Sequence, residues 1–99
     1  MYRLQNKLQE FSDDRGWEGI HTPIGLVLAI CAEAGELADE FGYKNIGHIP
    51  RKRVREELAD VMICCLNLCN VLDMDAEDII NRKMLKNGDK YPAHQRAEG

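Results

Sequence analysis

Arg51-Lys52-Arg53-Val54-Arg55-Glu56-Glu57-Leu58-Ala59-Asp60-Val61-Met62-Ile63-Cys64-Cys65-Leu66-Asn67-Leu68-Cys69-Asn70-Val71-Leu72 contains no glycine or proline and changes character halfway along. The first half is charged. The second, from Val61, is apolar almost all round, with Asn67 and Asn70 its clear polar residues. A run of this length without breakers reads as one helix, and a helix that is apolar on every side is normally covered on every side. A chain of 99 residues has little material for that cover, so the segment also predicts a subunit interface.

Working outward, Gly42 to Pro50 reads as a connecting loop. Thr22-Pro23 before it is a helix start, an N-cap hydroxyl followed by proline at the first helical position. That helix is expected to run to about Phe41 and end at Gly42. Leu4, Leu8 and Phe11 lie at helical spacing in a first helix, Tyr2 to Asp14, broken at Arg15-Gly16. Asp75 with Asp78 predicts the cap of a fourth helix reaching about Lys86. No repeat, low-complexity tract or strand-period alternation interrupts this pattern. The expected fold is all-α, a four-helix, bundle-like protomer forming one domain over residues 1–92, with 93–99 a flexible tail.

Composition narrows the function. A formal charge of −4 argues against nonspecific nucleic-acid binding. The N-terminus lacks the apolar core of a signal peptide, and Val61 to Leu66 is too short to span a bilayer. A cytoplasmic protein is the expectation. Cys31, Cys64, Cys65 and Cys69 lie in apolar helical runs without zinc-type spacing, and read as buried reduced thiols.

The chemistry lies in two acidic pairs, Glu33 with Glu36 and Glu57 with Asp60. Each has i,i+3 spacing, which puts both carboxylates on one helical face, where like charges repel. Asp39, Glu40 and Glu56 read as solvated surface acids. The paired acids differ in context: Glu33 and Glu36 sit among Ala, Gly, Cys and Leu, and Asp60 precedes the most apolar run. Two such pairs suggest a compensating cation. Hard oxygen ligands without imidazole or thiolate point to magnesium, whose usual companions are phosphates.

Other sites fail on residue identity. A di-iron bundle needs Glu-x-x-His on its helices, but His21, His48 and His94 fall in loops or the tail. A calcium loop starting at Asp73 would have Asp78 where glycine is required and Met84 where glutamate is required. No phosphate-cradling glycine loop or Gly-x-Ser-x-Gly nucleophile occurs.

Glu33-Ala34-Gly35-Glu36, twenty residues, then Glu57-Leu58-Ala59-Asp60 resembles the ExxE…ExxD signature of the all-α nucleoside triphosphate pyrophosphohydrolases, the MazG-like superfamily. Arg15 to Pro23, Glu33 to Leu37, Glu57 to Val61 and Lys83-Met84 through Asn87 to Tyr91-Pro92 are similar to its dCTP pyrophosphatase branch. The resemblance spans about Leu8 to Pro92. It implies that Glu33, Glu36, Glu57 and Asp60 bind Mg²⁺ and serve catalysis. Glu36 is then the candidate to orient or deprotonate a water attacking the α-phosphorus, which would yield a monophosphate and pyrophosphate. It further implies phosphate binding by Lys83, Asn87 and Lys90, base enclosure by Trp17, His21 and Tyr43, and a homodimer or homotetramer with sites near its interfaces. The implied role is removal of surplus or noncanonical nucleotides, with dCTP or a related deoxynucleotide as substrate. Cys64 departs from the branch, whose members tend to carry tyrosine there, and this puts base preference in question. The alternatives are a phosphoribosyl-ATP pyrophosphohydrolase and a noncatalytic helical oligomerisation or regulatory module.

Overall fold

The computed structural model describes residues 2–17, 19–42 and 45–93, and these form four α-helices with no strand among them. α1 spans Tyr2–Asp14, α2 Pro23–Asp39, α3 Arg51–Val71 and α4 Ala76–Lys90. The all-helical expectation holds. α2 stops earlier than expected and α4 runs four residues further, to Lys90 instead of Lys86. The tail from residue 94 onward, with His94, lies outside the described residues, as does Tyr43.

Local chemistry sets each boundary. α1 ends with Trp17 N–H donating to the Ser12 carbonyl and Gly16 N–H to that of Asp13, both at 3.0 Å. This paired closure needs a left-handed residue after the cap, and Gly16 supplies it at φ 67°. Thr22 caps α2 by accepting from Gly25 N–H at 3.1 Å, with Pro23 in the first turn. α3 closes as α1 does, with Met74 N–H on the Cys69 carbonyl at 2.8 Å and Asp73 N–H on that of Asn70 at 3.2 Å. Asp75 then caps α4 by accepting from Glu77 N–H at 3.3 Å.

α2 packs along α3, and α1 crosses the same helix on another side. The core of the single chain is small: Leu66, Cys69 and Ala76, with Leu8 against them. α4 packs along none of the others; it is tethered at its first turn. The tether is Gln5, 1% exposed. Its amide donates to Asn70 Oδ1 at 3.0 Å and the Met74 carbonyl at 2.8 Å, and accepts from Ala76 N–H at 2.8 Å. Asn70 Nδ2 returns a bond to the Gln5 carbonyl at 2.9 Å. All these polar groups are satisfied, so the network fixes α1, α3 and the start of α4 together.

The shape is correspondingly open. The radius of gyration is 17.3 Å, against about 13 Å for a compact chain of 100 residues. Leu58, Met62 and Val71 of α3 remain exposed, as do Ile79, Ile80, Met84 and Leu85 of α4. Cys31 and Cys65 are exposed too, contrary to the buried reading, because they face away from the packed helices. Glu40 corrects in the opposite direction. It is 9% exposed, and its Oε1 accepts from Arg53 Nε at 2.9 Å. Asn45 Nδ2 also donates to the Glu40 carbonyl at 3.1 Å, so this acid clasps the end of α2 to the start of α3.

Candidate functional site

The two paired acids of α2 face those of α3. Carboxylate oxygens of Glu33, Glu36 and Glu57 come within 4.8 Å of one another. Asp60, a turn beyond Glu57, is outside that close group, but its charge acts on both Glu33 and Glu57. Glu33 and Glu57 are half-buried, Glu36 and Asp60 exposed. Ala34 and Gly35 between the α2 acids add no bulk.

Protonation records the crowding. The Glu33 carboxyl hydrogen-bonds to Glu36, which with burial and the charges of Glu36, Asp60 and Glu57 raises its pKa to about 7. Burial, followed by Glu36 and Asp60, pushes Glu57 up as well. Glu57 Oε2 is buried without a hydrogen-bond partner among the described residues. An orphaned buried carboxylate oxygen is costly. The charges that act on these acids are themselves carboxylates, so the cluster lacks cations of its own. The donor set fits a hard divalent cation: several carboxylate oxygens, one unpartnered, with one proton to displace.

The other expected residues divide into two groups. Trp17 is fixed by the closure of α1, which sets its ring edge-on to Phe11 at 5.8 Å between centroids. His21 meets Trp17 at 6.1 Å, and Arg15 covers the Phe11 ring at 3.5 Å. Lys83, Asn87 and Lys90 share one face of α4 by spacing. Within the single chain they do not join the carboxylates, because α4 does not pack along α2 or α3. Lys90 instead lies 5.4 Å from the Tyr91 ring.

Two recesses accompany the site. The larger, about 240 Å³, lies among Ile49, Arg51, Val54, Arg55 and Leu58, on the face of α3 turned from Glu57 and Asp60. The smaller, about 150 Å³, is bounded by Leu8, Phe11, Ser12, Trp17, Ile63 and Asn67. Sequence reasoning missed the Gln5 network and the Glu40–Arg53 clasp.

The MazG-like family model matches residues 28–98. Among curated proteins, dCTP pyrophosphatase 1 of Homo sapiens is 39% identical, the match covering 86% of this chain and 55% of that protein. The Rattus norvegicus protein of the same name is 36% identical with the same coverage. The chain thus spans about half the length of these curated relatives. A solved structure of a pyrophosphatase from Archaeoglobus fulgidus DSM 4304 superposes with a TM-score of 0.81 at 36% identity, covering 94% of this chain and 93% of that one.

Proposed function

The chain belongs to the MazG-like family, and on that footing we propose that it is a Mg²⁺-dependent nucleoside triphosphate pyrophosphohydrolase acting on dCTP or related deoxynucleotides in the cytoplasm. The observation that carries this reading is the buried, unpartnered Glu57 Oε2 within the group formed by Glu33, Glu36 and Glu57. A purely structural role leaves that oxygen unexplained. Relatives named dCTP pyrophosphatase support the substrate class.

Glu33, Glu36, Glu57 and Asp60 would hold the cation. When bound, Mg²⁺ neutralises charge on the triphosphate and makes water more acidic. Glu36, exposed at the rim and bonded to Glu33, orients the attacking water and takes its proton at a carboxylate oxygen. Trp17 and His21 form the wall beside the base; the family resemblance also gives Tyr43, outside the described residues, a part in enclosing it. Attack at the α-phosphorus releases the monophosphate and pyrophosphate.

Lys83 and Lys90 supply the missing positive charge from α4 of a second copy, and Asn87 adds an amide donor. The free face of α2 supports such an assembly: Ile24, Val27, Leu28 and Cys31 form an exposed apolar stripe, continued by Ala34 and Gly35. The organisation proposed is therefore a homodimer or homotetramer of a domain ending near Pro92.

Melting with and without Mg²⁺, paired with turnover of each common deoxynucleoside triphosphate, tests the reading. Magnesium should raise the melting temperature by mass action. Turnover should disappear in Glu36→Gln. Absence of both effects in the wild-type protein would return the chain to a helical interaction module.

A further inference from the structure

One helical turn from the acids, toward the connecting loop, the same two helices meet a second time. Glu40, the C-cap of α2, follows Glu36 by four residues, and Arg53 precedes Glu57 by four on α3. Each therefore shares a helical face with its neighbour in the site. Glu36 meets Glu57, and one turn on Glu40 meets Arg53, so the helices run antiparallel here. The second contact lies about 6 Å along the axis from the carboxylates.

This contact is a closed polar network. Glu40 is buried, and its charge reaches Glu57. Arg53 Nε donates to Glu40 Oε1 at 2.9 Å, and Arg53 Nη2 to Asn45 Oδ1 at 3.4 Å. Asn45 Nδ2 donates in turn to the Glu40 carbonyl at 3.1 Å and to Glu40 Oε1 at 3.5 Å. The loop holds Asn45 in place. Its N–H donates to the Gly42 carbonyl at 3.0 Å, and its carbonyl accepts from His48 N–H at 3.1 Å. The end of α2, the loop and the first turn of α3 are thus joined by one set of bonds. Glu33, Glu36 and Glu57 push α2 and α3 apart, since like charges repel; the network pulls the same helices together. Along α2, Leu26 is buried near the start and Glu40 at the end, so the acids lie between two fixed points.

We propose that the Glu40–Arg53–Asn45 network is a positioning device that fixes the spacing of Glu36 against Glu57 and so makes the site selective for Mg²⁺ over Ca²⁺; this rests on the metal reading above. Mg²⁺ demands near-ideal octahedral geometry with oxygens at about 2.1 Å, whereas Ca²⁺ accepts variable geometry at about 2.4 Å. Carboxylates carried on separate helices suit the smaller ion only while those helices hold one separation. Groups that hold metal ligands in place from behind commonly set metal affinity. Arginine fits the task, because its planar fork engages two acceptors at once, where lysine would offer a point charge.

The metals alone test this. Melting curves titrated with Mg²⁺ or Ca²⁺, without nucleotide, give an apparent affinity for each ion by mass action. Arg53→Met should weaken Mg²⁺ binding about tenfold and Ca²⁺ binding less than about twofold, narrowing the preference. Asn45→Ala, which leaves both charges in place, should narrow it in the same direction, separating positioning from a change of charge near the acids. General destabilisation lowers the metal-free melting temperature but acts on both titrations alike, so the ratio of affinities reads positioning. Excess Mg²⁺ should restore dCTP turnover in Arg53→Met. A deficit that persists at saturating Mg²⁺ would mean that Arg53 touches the substrate, and would overturn the assignment. An unchanged ratio in both variants would overturn it too, while leaving the metal reading intact. A wild-type protein that Mg²⁺ does not stabilise would overturn the metal reading and the inference with it.

Discussion

The surroundings of Glu33 and Glu57 favour the neutral form of each carboxyl. Both folded pKa values lie above the ordinary carboxylate value, that of Glu33 at about 7. Between about pH 4.5 and 7 the metal-free native state therefore keeps protons that the unfolded chain releases. Stability must fall as pH rises through that window. Thermal melts of metal-free protein should show this decline, and Glu33→Gln should flatten it; a melting temperature that rises over the same range would contradict the cluster. Magnesium has to displace the proton, so its stabilising effect should grow over the same interval. At this scale much was legible in sequence, because i,i+3 spacing alone puts each pair on one face. The facing of the pairs was not, since it depends on how α2 lies against α3. Nor was the burial of Glu40, which depends on Arg53 reaching back across the loop.

The helices began where capping chemistry placed them. Thr22-Pro23, Asp75 and Gly16 were each readable as local signals, because a cap involves residues within one turn. The Gln5 network was not, because Gln5 and Ala76 are distant in sequence. Among the described residues it ties the start of α4 to both α1 and α3. Gln5→Leu would leave Asn70 Oδ1, the Met74 carbonyl and the Ala76 N–H without their Gln5 side-chain partner. Denaturant unfolding should register a loss of about 2–4 kcal/mol. A loss below about 0.5 kcal/mol, the range of ordinary surface substitutions, would mean that α4 is held by other means. Gly25 has a comparable local role. A Cβ there would stand 2.8 Å from Thr22 Oγ1, the atom that caps the helix.

As a whole molecule the chain leaves apolar residues of α2, α3 and α4 exposed, which supports the assembly proposed above. In the sequence, the all-round apolar half of α3 pointed to an interface of that kind. The particular faces left open, the α2 stripe and most of α4, could be seen only once α1 and α2 had taken their sides of α3. Stable interfaces cover roughly 800 Å² per partner, and both faces are available. Leu28, at 61% exposure, sits mid-stripe. Leu28→Asp should shift the sedimenting species toward monomer and lower turnover together, since α4 cations from a second copy would be lost; a monomeric wild type with full turnover would contradict the shared site. Among the described residues, no helix is long and apolar enough to cross a membrane.

The central claim is attack on the α-phosphorus by water positioned at the carboxylates. Turnover of dCTP with Mg²⁺ in ¹⁸O-labelled water, with mass analysis of both products, tests it most directly. The account predicts label in the monophosphate and unlabelled pyrophosphate. Label in pyrophosphate would put the attack on the β-phosphorus, and labelled orthophosphate with dCDP would put it on the γ-phosphorus; either result would contradict it.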